Sequence, residues 1–149
     1  MDDFKRLIGD HVDKKQKAAV ERREHADEEK ARRDRSRELL TSIVLPELSK
    51  CVSEINDTPY SAELRERLEG YEPSVELHVT ITTPRNETST LIFGHPTGKQ
   101  LRNCIVVTRR VASSRGHKTE IGLPFDKING AMVRKAALDF VAAVLSTDE

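Results

Sequence analysis

The N-terminal quarter of the chain constrains the fold more than any other feature. Residues 2–38 contain no proline and a single glycine, Gly9, while acidic and basic side chains alternate densely. Several acids precede a base by four residues, which is the order that stabilises a helix. These pairs are Asp2 with Arg6, Asp10 with Lys14, Asp13 with Lys17, Glu28 with Arg32, and Glu29 with Arg33. The pattern predicts one long, continuous helix.

This predicted helix has little to bury. Its apolar residues at helical spacing, called the apolar stripe below, are Phe4, Leu7, Ile8 and Val12. Beyond the stripe, the best heptad phase places mainly charged residues at the seam, which makes a poor coiled-coil core. We therefore predict a charged helical arm over residues 1–38, whose stripe contacts a second copy of the chain or another protein. The alternative is fraying, because a helix without packing is marginal in water.

The rest of the chain, residues 39–149, carries the patterns of a globular domain. Apolar residues recur at intervals of three and four over Leu39–Ile55, which indicates a buried helical face. Pro46 interrupts this run and lacks the N–H that a helix uses, so a kink or a restart is predicted there. The dipeptide Thr58-Pro59 then fits the start of a short helix that ends at Gly70.

Beyond this short helix the apolar period changes from helical to two. Apolar and polar residues alternate over Val75–Ile81, which predicts a half-buried strand. Short connections rich in Gly, Pro and Asn favour an antiparallel four-stranded meander. A C-terminal helix, N-capped by Asp126 and ending near Leu145, presents a broad apolar face that packs on the sheet. The predicted fold class is α+β. The three further predicted strands are Thr88–Phe93, Leu101–Val111 and His117–Leu123.

Composition and cysteine usage bound the compartment and the partners. Lys plus Arg is 25 and Asp plus Glu is 25, so no net charge steers the whole chain toward nucleic acid or a membrane. Cys51 and Cys104 lie far apart, which predicts free thiols in a reducing cytosol. No apolar run approaches the roughly 20 residues of a membrane span, and the acidic start lacks a signal-peptide pattern. We expect a cytoplasmic protein that does not enter the membrane.

One stretch, Gly94-His-Pro-Thr-Gly98-Lys99, is close to a phosphate-binding loop but does not match it. Such a loop has four residues between its first glycine and the final Gly-Lys, followed by Ser or Thr for magnesium. Here three residues separate Gly94 from Gly98, and Gln100 follows the lysine. The stretch is better explained as a hairpin connection in which Gly and Pro supply turn geometry.

The histidines invite a metal interpretation that the predicted meander does not favour. His95 and His117 fall at opposite ends of a strand, more than about 20 Å apart. Glu76 and His78 share one strand face, yet two ligands are a weak signal. We predict no catalytic residue, no metal ligand and no cofactor. An enzyme whose site is assembled from scattered residues remains a further alternative.

Basic residues gather at one end of the predicted meander, which we call the basic tip. Arginine forks suit phosphate or carboxylate oxygens, and a projecting β-ribbon can enter a DNA groove. Against this, no aromatic residue alternates with these bases, and the acidic C-terminal residues could neutralise them. Two interpretations of the tip therefore remain open: a solvated surface that binds nothing, or an anion-binding site. The residues of the tip are Arg85, Arg109, Arg110, Arg115 and Lys118.

These patterns favour a non-enzymatic cytosolic interaction protein of the adaptor or assembly type. We expect it to be a homodimer whose N-terminal helix serves self-association or partner binding, because that helix is long, rich in charge pairs and unable to bury much of itself. The alternative is a nucleic-acid-associated protein that binds phosphates through the basic tip.

If the basic tip binds nucleic acid, the double substitution Arg110→Ala and Arg115→Ala weakens binding and makes its salt dependence shallower, because each lost phosphate contact removes a released counterion. Affinity for duplex DNA measured over a range of salt concentrations checks this. Equal affinity and equal salt slope in the variant would exclude the tip.

Overall fold

The structure is a computed structural model that describes residues 2–81, 87–96, 102–112 and 118–146. It confirms the α+β class, with a long N-terminal helix, an antiparallel sheet and a C-terminal helix. The chain divides into two compact units, Met1–Arg32 and Arg33–Glu149. The elements, in chain order, are α1 Asp2–Leu39, a π-helical turn Leu40–Val44, α2 Leu45–Asn56, β1 Ser61–Arg67, β2 Ser74–Ile81, β3 Glu87–Gly94, β4 Cys104–Arg110, β5 Lys118–Pro124, a 3₁₀ turn Phe125–Lys127, and α3 Gly130–Ser146.

The sheet is an antiparallel meander of five strands in the order β1-β2-β3-β4-β5. Burial alternates along β2, where Val75, Leu77 and Val79 are buried and the residues between them are half-buried. Cross-strand partners share a face of a sheet. Leu77 is paired with Leu91, and Val75 is paired with Phe93. The face that carries these residues, called the inner face, therefore holds the core, and the opposite face is called the outer face.

The prediction of four strands is wrong by one, because β1 lies where a short helix was predicted. Ala62 and Leu64 of β1 pair with Val79 and Leu77 of β2 and alternate in burial with their neighbours. The residues of β1 have adequate helix propensity, but the unpaired backbone of β2 needs hydrogen-bonding partners. Asn56 at the end of α2 fixes the entry to the strand: Ala62 N donates to its Oδ1 at 2.8 Å and its Nδ2 donates to Ala62 O at 3.1 Å.

The two amphipathic helices α2 and α3 supply the other half of the core. Leu48 of α2 and Val133, Phe140 and Val144 of α3 are almost completely buried. They belong to the same apolar cluster as Phe93 and the other inner-face residues. Burial of each large side chain is worth roughly 1.5–3 kcal/mol. The helix layer on the inner face is therefore the main source of stability for the unit Arg33–Glu149.

Pro46 coincides with a change of helix type. The backbone between Leu40 and Val44 is π-helical, and Leu45 N donates to Leu40 O, five residues back. A proline ring would meet the carbonyl of Ser42, four residues before it, in a regular α-helix. The wider π turn accommodates that ring and lets α2 continue with Leu48 facing the core. The interruption that the sequence predicts at Pro46 thus takes the form of a π turn.

The predicted N-cap of the C-terminal helix, Asp126, is wrong by one turn. Asp126 lies in the 3₁₀ turn, and Ile128 after it is extended and buried. The cap is Asn129, whose Oδ1 accepts a hydrogen bond from Met132 N at 2.9 Å. Asp and Asn are equally good caps. Insertion of Ile128 into the core interrupts the helix after Asp126, so the helix begins after Asn129 and Asn129 is its cap.

Two arginines in the last turns of α1 hold the connection between β1 and β2. Arg37 donates from Nε to Leu68 O at 2.6 Å and from Nη2 to Gly70 O at 2.9 Å. Arg33 donates to Tyr71 O at 3.1 Å, with its guanidinium 4.6 Å from the centre of the Tyr71 ring. These contacts satisfy carbonyl groups in a turn where Gly70 takes a positive φ of 99°.

A buried polar contact joins the same part of α1 to the end of β3. Ser36 is completely buried, and its Oγ lies 2.8 Å from Nδ1 of His95. His95 also donates its backbone N–H to Pro73 O at 3.0 Å. A hydrogen bond between buried groups is specific in direction, so this contact fixes how the last turn of α1 meets the sheet.

Replacement of Arg37 by alanine is expected to lower the free energy of unfolding by about 1–2 kcal/mol, because two charge-assisted bonds to carbonyls are lost at a side chain that remains 29% exposed. The matched control is Arg35→Ala on the same helix, which removes an exposed ion pair with Glu38 and should change stability much less. Urea unfolding checks both. Equal losses in the two variants would show that the turn contacts contribute nothing specific.

Candidate functional site

The apolar stripe of α1 is exposed. Phe4 is 72% exposed, Leu7 67%, Ile8 61% and Val12 44%. Helical geometry places all four on one face over little more than two turns. Val20 is also 53% exposed, but it lies on the other side of the helix. The stripe is thus a continuous apolar surface, whereas Val20 is an isolated residue.

Charges around the stripe are arranged asymmetrically along the helix. Asp2 and Asp3 precede the stripe, and Lys14 and Lys15 follow it. Asp3 and Lys14 are 11 residues apart, which is three helical turns, so both flank the stripe on the same side. This flank of the stripe therefore carries Asp3 near its N-terminal end and Lys14 near its C-terminal end, with Asp10, four residues before Lys14, between them.

Only part of the basic tip falls within the described residues. Arg85 and Arg115 lie outside them. Arg110 and Lys118 occupy partner positions on β4 and β5, and both are exposed on the outer face. Lys118 Nζ lies 3.3 Å from a carboxylate oxygen of Glu120. The structure brings Arg110 and Lys118 together, with Glu120 offsetting one of the two charges.

Arg109 does not share the face of Arg110. Its strand partner is Leu91, so its side chain emerges on the inner face, where it is half-buried. Successive residues of a strand always face opposite sides of the sheet. Arg109 and Arg110 are adjacent in sequence, but because of this alternation they do not form one cluster.

The pair of possible metal ligands on β2 is close but small. His78 Nε2 is buried, has no hydrogen-bond partner among the described residues, and lies 3.7 Å from Glu76 Oε1. His78 Nδ1 lies 3.4 Å from the hydroxyl of Thr90. Within the described residues, no group of three or more His, Cys, Asp or Glu side chains is placed to hold an ion. His117, which is predicted to lie far from His95, falls outside the described residues.

A cavity between α2 and α3, which the sequence did not reveal, is lined by three groups with shifted pKa values, Cys51, Glu54 and Arg134. Burial raises the pKa of the Cys51 thiol above its ordinary value, so the thiol is neutral at pH 7. A hydrogen bond from Arg134 lowers the pKa of Glu54, at an Nη2 to Oε1 distance of 2.8 Å. The thiol is therefore an apolar wall of the cavity, and the carboxylate is an ionised partner of the arginine. One sequence feature could have indicated this charged group: Glu47 and Glu54 are seven residues apart and so share one face of α2.

Comparison of the chain with protein-family models, with curated protein sequences and with solved structures finds no match. Among the helices within the described residues, none has both the length and the apolar character of a membrane span.

Replacement of Glu54 by glutamine should flatten the acid limb of the stability profile. A carboxyl whose pKa is lowered in the folded state stabilises that state above the pKa of the unfolded chain, and this contribution disappears as pH falls through the folded pKa. The wild type should therefore lose more stability than Glu54→Gln between neutral pH and about pH 3, the acid side of the ordinary glutamate pKa.

Urea unfolding at the two pH values measures this difference, with Glu66→Gln on β1 as the control for loss of an exposed carboxylate. Identical pH dependence in the wild type and Glu54→Gln would mean that the Arg134 contact does not persist in solution.

Proposed function

We propose that this chain is a non-enzymatic assembly protein that self-associates through α1, with the apolar stripes of two copies facing each other in an antiparallel pair. The observation that carries the proposal is the exposure of all four stripe residues, between 44% and 72%, on one face of a helix. Isolated apolar residues on a surface need no explanation, but a contiguous patch favours contact with a partner.

Covering the stripe with a second copy gives a substantial favourable free energy. Full burial of a large apolar side chain is worth roughly 1.5–3 kcal/mol, and a symmetric pair covers the stripe twice. The area that four residues per copy can bury is nevertheless small compared with the roughly 1,200–2,000 Å² buried in a typical stable complex. The expected dimer is therefore weak and its population depends on concentration.

The charges flanking the stripe favour a second copy in the antiparallel direction. A twofold axis through Ile8 places Phe4 of each copy opposite Val12 of the other. The same axis brings Asp3 of each copy next to Lys14 of its mate, because the two residues flank the stripe on the same side. A parallel pair would instead place the acidic first turns at one level and the lysines at another, where like charges repel.

The first test replaces Ile8 by glutamate in the full chain. In the antiparallel pair Ile8 lies on the twofold axis, so the substitution removes apolar area and sets two carboxylates against each other. Light scattering over a range of concentrations should show the wild type shifting toward a dimer and Ile8→Glu remaining a monomer. The control Val20→Glu makes the same kind of change at a residue of similar exposure on the other side of the helix, and it should leave the dimer intact.

A charge-reversal series tests the direction of the pair. Lys14→Glu should weaken the dimer, because the introduced carboxylate would then face Asp3 of the mate. Addition of Asp3→Lys should restore it, because the reversed pair attracts again. A monomeric wild type at all concentrations would exclude self-association and leave the stripe to a different protein. The antiparallel register would be excluded by a different pair of results. In that case Ile8→Glu dissociates the dimer, but adding Asp3→Lys does not restore the dimer weakened by Lys14→Glu.

A further inference from the structure

A cavity of about 340 Å³ opens between α2 and α3. Its floor includes Cys51 and Val144 from the core, and Val79 of β2 closes it against the sheet. Tyr60, which precedes β1, and Ile55 of α2 form one side. All of its lining residues belong to the unit Arg33–Glu149, so the cavity is independent of the apolar stripe.

This cavity is unlike an ordinary packing defect. Protein interiors are close-packed, and voids much larger than a water molecule are few. Sites for small molecules, in contrast, are mainly apolar concavities of about 300–1,000 Å³. Two leucines of α3 at the mouth, Leu138 and Leu145, are 58% and 42% exposed and extend the apolar surface outward. The size and the lining are therefore those of a small-molecule site.

The two charged residues that line the cavity, Arg134 and Glu54, are already paired with each other, and neighbouring charges extend the pair. Arg134 lies 2.8 Å from Glu54 and 3.6 Å from Glu47, and Lys50 lies 3.9 Å from the other oxygen of Glu47. Two acids and two bases balance, so the group offers no surplus charge to a ligand. An anion that engaged Arg134 would have to displace a carboxylate that is already bound. Charge balance therefore selects against ionised ligands.

We propose that the cavity between α2 and α3 binds an uncharged, predominantly apolar small molecule. The apolar walls supply the affinity, and the balanced charges at the mouth exclude anions and cations in favour of neutral molecules. Apolar walls offer water few hydrogen-bonding partners, so they favour an apolar ligand over solvent.

The experiment uses two fluorescent probes of nearly identical shape. N-phenyl-1-naphthylamine is neutral, and 8-anilinonaphthalene-1-sulfonate is the same skeleton with a sulfonate. Titrated into the full chain, the neutral probe should bind saturably with one site per chain and more tightly than the anionic probe. Tighter binding of the sulfonate would overturn the charge argument, and the absence of saturable binding of the neutral probe would overturn the site.

Matched variants locate the bound probe. Val141→Trp fills the cavity from its α3 side and should weaken the neutral probe by at least about tenfold, which corresponds to 1.4 kcal/mol. The control Ile121→Trp introduces the same ring at an exposed residue of β5 outside the cavity and should leave affinity unchanged. Ile8→Glu should also leave it unchanged. Loss of binding in Ile8→Glu with full binding in Val141→Trp would place the probe on the apolar stripe and refute the cavity.

A second measurement is independent of the folding of Val141→Trp. In a Cys104→Ser background Cys51 is the remaining thiol, and it lines the cavity while only 7% exposed. Saturating neutral probe should slow the reaction of Cys51 with a maleimide severalfold. An unchanged rate at saturation would show that the probe binds elsewhere.

Discussion

Burial of the inner face of β2 and β3 beneath α2 and α3 is the interaction on which the rest of the structure depends. Leu77 and Phe93 on the sheet and Phe140 on α3 are almost fully enclosed in one cluster. Because strand side chains alternate with a period of two, this burial also fixes the register of both strands, and a slip by one residue would expose the entire apolar set. The positions of the neighbouring strands follow from that register.

Polar contacts then attach the remaining segments to this core, and those of Arg37 and Asn56 satisfy backbone groups that packing alone leaves open. Arg37 binds two carbonyls of the turn before β2, Asn56 holds the first residues of β1, and Ser36 meets His95 at the end of β3. The two surfaces that we propose for binding differ in kind. The stripe is a convex apolar surface flanked on one side by Asp3 and Lys14, which suits a second helix. The cavity is concave with its charges already paired, which suits a neutral molecule.

Sequence reasoning succeeded where a single period dominated. The alternation at Val75–Ile81 and the helical spacing in α3 each reflect one element packed on one face, and both elements are present. It failed at β1, because the pairing of Ser61–Arg67 with β2 is a non-local contact that outweighs local helix propensity. It failed at the cap of α3 because Asp126 and Asn129 have equal capping ability, and only burial of Ile128 distinguishes them. The cavity was invisible because its walls come from segments as distant as Cys51 and Leu145.

The sequence by itself determined the long charged helix, the change of period after Pro73 and the α+β class, since each depends on spacing within one segment. It also determined the residues of the apolar stripe, which are consecutive turns of one helix. Only the tertiary structure decided which strands pair at the edge, which face Arg109 takes, and where Arg134 meets Glu47 and Glu54. Those outcomes depend on contacts between residues far apart in the chain, and local propensities carry no information about such contacts until the core has formed.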